Sequence, residues 1–393
     1  MTDSNSRFPL FRPGARLLVF DPNITRTSPA GSCVLSMLQP LIGECDLHLF
    51  VTRCDLPESE FIHQTHIPAP RRPVFASSFL YTVFSLCAFA IHARRRGLRI
   101  GTEGAFPLCD LCYAHSCHSI LLSRYRRFLG GGPLRRGARI LTHAWGAFTE
   151  RIAFRSARTI VVPSEGLARD LKSAYPKLIE GKIRVIPNPV DTKAFERPRA
   201  FFSQSIQEQL GFPSDSFVLS FCALGNFERK GLRLAMNALA ALPDIPARLI
   251  VIGGTSGEVR EYQTLAERLG IGKSVCFVGL QNDIRPYLWA SEAFVFPSLH
   301  ETFPLVCLQA AAAGLPLIAT RIHGVEEFMI HGATGWLVDR AAASIQSAIE
   351  EAAGDRNRTA AMGRAARERV EMYSEDRFQR RWVKLLKEEF DAH

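Results

Sequence analysis

The sequence predicts an α/β protein made of two doubly wound, Rossmann-like domains. Three observations predict it. The chain has 393 residues, which at roughly 150 residues per domain favours two domains. Short apolar runs ending in turn residues alternate with longer segments of helical period, the pattern of βαβ units and parallel sheets. That alternation fades after residue 195 and restarts near residue 217. Apolar residues at 47% and charged residues at 22% suit globular cores.

In the first half, "ARLLVFDP", "CDLHLFVT", "DLCYAHS", "TIVVPS" and "IRVIPNPV" read as strands. Residues 139–158 read as a helix with Ile140, Ala144, Phe148 and Ile152 on one face. Residues 74–93 contain no Asp, Glu, Lys or Arg and lie between Arg71-Arg72 and Arg94-Arg95-Arg96. About 20 residues are enough to span a bilayer. Ser78, Thr82 and Ser85, however, recur at i, i+4 and i+7 as a polar stripe, so a helix packed within a domain is expected instead. The polar, proline-containing stretch 196–216 reads as a linker. The second half restarts with strands "FVLSFCALG", "ARLIVIGG", "VCFVGL", "EAFVFPS", "LPLIAT" and "GWLV". Helices "KGLRLAMNALAAL", "EYQTLAERLG" and "LVCLQAAAAG" separate several of them. The expected domains are 1–195 and 217–374. A final helix in 375–393, with Phe378, Trp382, Leu385 and Leu386 on its apolar face, is expected to return to the first.

Net charge is +10 and uneven. Residues 1–190 hold 25 Lys/Arg against 13 Asp/Glu, and residues 191–393 hold 23 against 25. A basic first half suits an anionic partner, a membrane surface, a phosphorylated acceptor or nucleic acid, or is simply a solvated arginine-rich surface. The start, "MTDSNSRFPLFRPG", is polar and proline-broken, and lacks the apolar core of a signal peptide. Ten cysteines without a leader suggest free thiols in a reducing compartment. A cytoplasmic protein is expected, at the inner face of the membrane if it docks there.

Chemistry concentrates at strand ends, where ligands bind in doubly wound folds. In "SLHETFPLVCLQAAAAGLPLIAT", Glu301 precedes a helix beginning near Leu305, and Gln309 lies one turn along it. The free N–H groups of such a helix start suit a phosphate. In "ALGNFERKGL", Arg229 and Lys230 lead from strand to helix, a fork and a point charge suited to a diphosphate. In "LVIGGTSGE", Gly253-Gly254 would let a ligand approach the backbone. Gly-x-Gly-x-x-Gly spacing is absent, so no nicotinamide dinucleotide site is supported. Taken singly, each has a plainer reading as a helix-terminal acid, solvated cations or a turn.

In order, these elements resemble the group 1 glycosyltransferases, family 4, with their two-domain GT-B architecture facing across a cleft. The resemblance covers nearly the whole chain, most specifically residues 183–338. "IRVIPNPVD" is similar to that family's Pro-Asn-Gly-Val-Asp element, with Pro189 for Gly. "GNFERKG" is similar to its Gly-Arg-…-Lys-Gly element, and "FVFPSLHETFPLVCLQAAAAGLPLIAT" to its Glu-x7-Glu element. "HGVEEFM" resembles the Gly-Gly-x-x-Glu that follows.

The resemblance implies a retaining, metal-independent transfer of a sugar from a nucleotide diphosphate, such as a UDP- or GDP-sugar, to a glycan, lipid or envelope precursor. It implies no cofactor and no nucleic-acid partner. Arg229 and Lys230 would bind the donor diphosphate, Glu301 the transferred sugar, and Gln309 the ribose in place of the family's second glutamate. Backbone N–H groups of Phe303, Leu305 and Val306 would meet the phosphates. Gly225, Asn226 (where the family has Arg) and Gly253 would line the donor site. "DLCYAH" keeps Asp110 and His115 of an Asp-x-x-His-x-His element, which puts His115 near the sugar on domain closure. "SPAGS" keeps Gly31 of a glycine-rich loop. The Cys/His cluster "CDLCYAHSCHS" is not expected to bind a metal, since no second Cys-x-x-Cys exists and Cys109 and Cys112 would point to opposite faces of a strand. A non-catalytic sugar-nucleotide-binding subunit and a sugar-nucleotide epimerase are the alternatives.

Overall fold

A computed structural model of the chain describes residues 10–70, 72–91, 97–126 and 132–392. It forms two compact units, Met1–Pro189 with Asp376–His393, and Val190–Glu375.

The first unit holds strands β1 (Arg16–Phe20), β2 (Asn23–Ile24), β3 (Asp46–Val51), β4 (Arg53–Cys54), β5 (Ile62–His66), β6 (Leu98–Thr102), β7 (Leu111–Tyr113), β8 (Thr159–Val162) and β9 (Ile183–Val185). Seven of them form one parallel sheet in the order β5-β3-β1-β6-β7-β8-β9, while β2 and β4 pair apart. Helices α1 (Pro29–Leu38), α2 (Val74–Ile91), α3 (His118–Arg124), α4 (Pro133–Ser156) and α5 (Glu165–Ala174) connect them. Covered strands read as continuous apolar runs, and Leu17 to Phe20 of β1 are all buried. Strands β5 and β6 escape that signal. "IHQTH" at the sheet edge is half polar, and "LRIGT" carries an arginine and a glycine.

Three expectations in this unit change. First, α4 starts at Pro133, and its buried residues are Gly146, Thr149, Glu150, Ala153 and Phe154, whereas Phe148 stands 56% exposed. A Cβ on Gly146 would lie 2.3 Å from the His118 ring. The Glu150 carboxylate accepts the His118 N–H at 3.0 Å. A missing side chain and a buried acid therefore set the packing against α3, and an apolar count cannot see either. Second, Cys109 lies before β7, so its thiol hydrogen-bonds with that of Cys112. The opposite-face argument fails because the strand begins only at Leu111. Third, Gly31 sits in the first helical turn of α1, where Ser28 Oγ accepts its N–H. A Cβ there would meet the Asn23 carbonyl oxygen at 1.8 Å, so this glycine serves helix–strand contact and not an open loop.

The second unit has a six-stranded parallel sheet in the order β12-β11-β10-β13-β14-β15. Its strands are β10 (Phe217–Ala223), β11 (Ala247–Gly253), β12 (Val275–Gly279), β13 (Ala293–Phe296), β14 (Leu317–Thr320) and β15 (Gly335–Val338). Its helices are α6 (Ser203–Gln209), α7 (Phe227–Lys230), α8 (Leu232–Ala240), α9 (Ser256–Arg268), α10 (Arg285–Trp289), α11 (Leu305–Ala312), α12 (Val325–Phe328), α13 (Ala342–Gly354) and α14 (Arg356–Val370). Every residue of the central β10 is buried. The stretch expected as a linker belongs to this unit. It carries α6, whose Gln207 donates to the Ala290 carbonyl at 2.9 Å, and Glu196 pairs with Arg367 at 2.9 Å.

Helix α15 (Glu375–Asp391) belongs to the first unit from Asp376 onward. Phe378, Trp382, Leu385 and Leu386 are buried, and the Trp382 ring meets Tyr113 of β7 edge-on at 4.8 Å.

Candidate active site

In the second unit, β11 lies on one side of β10 and β13 on the other. The connections leaving β10 and β13 therefore part, and a crevice opens at their carboxyl ends, the usual ligand site of such sheets. Both elements singled out in the sequence lie there: α7 follows β10, and residues 298–304 follow β13.

Helix α7 is a single turn with left-handed residues at both ends, Asn226 at φ 61° and Gly231 at φ 84°. Asn adopts that region more readily than most side chains. Gly231 is dictated by space as well, since a Cβ would lie 2.2 Å from the Pro297 carbonyl oxygen. Phe227 anchors the turn, with Phe221 and Tyr262 edge-on at 5.8 and 5.4 Å. The Arg229 carbonyl accepts the Leu299 N–H at 2.9 Å. Fastened in this way to the loop after β13, α7 directs both of its cations at Glu301.

Lys230 Nζ lies 2.5 Å, and Arg229 Nη1 3.4 Å, from the same Glu301 oxygen. Ser298 Oγ donates to that oxygen at 2.7 Å, and Arg229 also donates to the His300 carbonyl at 2.5 Å. Lys230 lies 5.2 Å over the Phe296 ring. Burial pushes the Glu301 carboxyl up, but Lys230, Arg229 and the Ser298 hydrogen bond outweigh it and hold it below its ordinary value. Burial, aided by Arg229, pulls the Lys230 ammonium down, against the attraction of Glu301. Two cations thus share one carboxylate, leaving positive charge at the strand ends.

Helix α11 begins beside this group. No side chain caps it, so no side chain occupies the N–H groups of Leu305 and Val306. Phe303 is buried, with Tyr373 at 5.7 Å, so toward a ligand it can offer only its backbone. Cys307, Leu308 and Ala310 face the core, while Leu305, Val306 and Gln309 are half-buried. Leu305 and Gln309, four residues apart, share that outer face.

The glycines serve the fold. A Cβ on Gly253 would lie 2.0 Å from the Ala223 carbonyl oxygen, and one on Gly254 2.3 Å from the Phe227 ring. The missing side chains of this pair thus make room for the protein's own β10 and α7. Gly225 leaves room for Glu258, whose carboxylate accepts the Asn226 and Phe227 N–H groups at 2.5 and 3.2 Å. The sequence reading missed Glu258. Its signal was present in "TSGE", a Thr-x-x-Glu capping box at the start of α9.

In the first unit the strand order reverses between β1 and β6. Asp21 follows β1 and receives the Thr102 hydroxyl at 2.7 Å. Glu103 follows β6 in the left-handed region at φ 49°, and its N–H donates to the Tyr113 carbonyl. His115 follows β7, buried against the Tyr113 ring at 4.1 Å, and its Nε2 has no hydrogen-bond partner. Burial pulls His115 down to about 3, so it is neutral at ordinary pH. Asp110, by contrast, is held in a two-pronged pair with Arg99 and acts structurally. Asp21 and Glu103 were not singled out in the sequence, and only strand order brings these two acids near one another, where Asp21 helps to raise the Glu103 carboxyl.

A family model described as glycosyl transferases group 1 matches residues 202–369, and one described as glycosyltransferase family 4 matches residues 34–194. The lipopolysaccharide core biosynthesis glycosyltransferase LpsE of Rhizobium meliloti is 32% identical over 246 residues, which cover 61% of this chain and 68% of LpsE. The chain belongs to the group 1 glycosyltransferases. A D-inositol 3-phosphate glycosyltransferase from Corynebacterium urealyticum is 30% identical over 195 residues, 47% of this glycosyltransferase and 45% of that relative. The chain thus spans about half the length of that relative. Among solved structures, sucrose-phosphate synthase from Thermosynechococcus elongatus superposes with a TM-score of 0.77 at 20% identity, covering 96% of this chain and 100% of that one. Anabaena HepE in complex with UDP-glucose gives 0.74 at 17% identity, covering 95% and 99%. These likenesses establish the fold of this glycosyltransferase, the GT-B pair of Rossmann-like domains expected from the sequence.

Proposed function

We propose that this glycosyltransferase moves a hexose-type sugar from a nucleotide diphosphate to a glycan, lipid-linked or other cell-envelope precursor, with retention of configuration and without a metal ion. The observation that carries this reading is the Arg229–Lys230–Glu301 cluster beside the uncapped start of α11. Breaking a sugar–diphosphate bond develops negative charge on the leaving group. A guanidinium fork, an ammonium and open helix N–H groups, already in place, stabilise that charge without reorganising. Glu301 holds the two cations together. An arriving diphosphate competes for them and frees the carboxylate to meet a sugar hydroxyl. Gln309, whose amide both donates and accepts, takes the ribose. His115, being neutral, offers Nε2 to a hydroxyl and not a charge. Support for the donor comes from HepE, solved with UDP-glucose. Support for an envelope acceptor comes from LpsE and from WaaG, whose structure is described as that of a glycosyltransferase involved in lipopolysaccharide biosynthesis.

A thermal-shift panel of nucleotides and nucleotide sugars, followed by nucleotide release with EDTA present, tests the reading. Stabilisation by one nucleotide sugar and turnover in EDTA are expected. Lys230→Ala should cost roughly 2–4 kcal/mol of transition-state stabilisation, read as kcat/KM. An unchanged kcat/KM removes the diphosphate assignment, and a strict divalent requirement overturns the metal-free one. Tight binding without turnover indicates a binding subunit, and sugar interconversion without acceptor an epimerase.

A further inference from the structure

Helix α2 packs on the first unit through Phe89, edge-on to Phe20 and Phe106, and through a small polar stripe, and it leaves a second apolar face outward. Its buried residues are Tyr81, Thr82 and Ser85. Tyr81 Oη donates to the Phe50 carbonyl at 2.6 Å, and the Thr82 and Ser85 hydroxyls donate to carbonyls within the helix at 3.0 Å each. The opposite face, Leu80, Phe84, Cys87 and Ile91 at i, i+4, i+7 and i+11, is apolar. Phe84 is 38% and Ile91 80% exposed. The helix has no charged residue, is long and apolar enough to cross a membrane, and has only 17% of its length buried. A helix facing water shows the reverse arrangement.

Helix α4 extends the same character. Its Trp145 meets Phe79 of α2 edge-on at 5.0 Å. From Trp145 an apolar stripe runs through Leu134, Leu141 and Phe148, which are 91%, 57% and 56% exposed. Arg135, Arg136 and Arg139 are exposed on the same half of the helix, and no acidic residue precedes the buried Glu150.

We propose that the outward faces of α2 and of the N-terminal half of α4 form a docking surface for an anionic lipid bilayer. The apolar side chains enter the acyl boundary, and the arginines meet lipid phosphates. Helix α2 then lies in the interface and does not cross it, because Tyr81, Thr82 and Ser85 keep its inner stripe on the first unit. A second copy on this face would bring the arginines of both chains into one interface with no acid on α2, or on α4 before Glu150, to answer them. Lipid binding needs neither donor nor turnover, so this inference and the proposed function fail separately.

The full-length protein is floated with phosphatidylglycerol–phosphatidylethanolamine vesicles and with phosphatidylcholine vesicles, and its lipid-free mass is measured by sedimentation velocity. Flotation with the anionic vesicles alone is expected. The Arg135→Glu/Arg136→Glu variant should partition at least about 30-fold more weakly. The Phe84→Ser/Ile91→Ser variant should also be released from the vesicles, and both should keep the wild-type melting temperature. No flotation, or equal flotation with both lipids, overturns the proposal. A lipid-free dimer that Phe84→Ser/Ile91→Ser converts to monomer also overturns it, because a second copy then covers the face.

Discussion

Gln309 is the residue on which the donor side of the site can be tested most finely. It lies half-buried on the outer face of α11, one turn beyond Leu305. If its amide grips ribose hydroxyls, a carboxylate there makes charge-assisted and stronger bonds. Gln309→Glu should then tighten nucleotide binding by roughly tenfold, and Gln309→Ala should weaken it by about as much, measured by titration calorimetry. Equal affinities in all three proteins would remove Gln309 from the ribose. Arg229, Lys230 and Glu301 were legible as sequence because each ends a strand-to-helix crossing. Their union was not. The Arg229–Glu301 contact joins residues 72 apart, and nothing in local spacing reports that one carboxylate oxygen receives two cations and a serine.

Elements with a strong apolar period were the readable ones, and α4 shows where that signal misleads. Its contact with α3 is made by Gly146 and Glu150. Burial pushes the Glu150 carboxyl up to about 8, against the His118 N–H and the Tyr175 hydroxyl, and Glu103 adds to the rise. The folded chain therefore holds that proton to about pH 8, while the unfolded chain releases it near its ordinary 4.5. The stability contribution is full below pH 4.5 and is lost as pH rises through 8. Between pH 5 and pH 8 this contribution opposes the rise that the neutral His115 and His118 bring below pH 6.5, so the melting temperature of the wild type should fall more, or rise less, than that of Glu150→Gln. Parallel profiles for the two proteins would contradict a buried neutral Glu150. Strands β5 and β6 were illegible for a related reason. Sheet pairing supplies their stability, and neither carries enough apolar residues to announce it.

At the scale of the molecule, two α/β units were foreseeable from the restart of the strand–helix alternation, and their boundary was not. Residues 196–216 looked like a tether because they are polar, yet contacts to α10 and Arg367 tie them into the second unit. The last helix is bound by its apolar face to the sheet of the first unit. Burial of one tryptophan of this kind is worth about 3–5 kcal/mol. A chain ending at Ser374 should therefore show a first unit that melts far lower and is cut readily by protease, while the second unit keeps its response to nucleotide. A first unit of unchanged melting temperature would show that α15 is dispensable. The chain passes from the first unit to the second after Pro189 and returns after Glu375. On the ribosome, the part made first is consequently the part completed last. Tyr113 waits for Trp382 until the whole of the second unit has emerged, so the later-made unit can close while the earlier one still lacks its last helix.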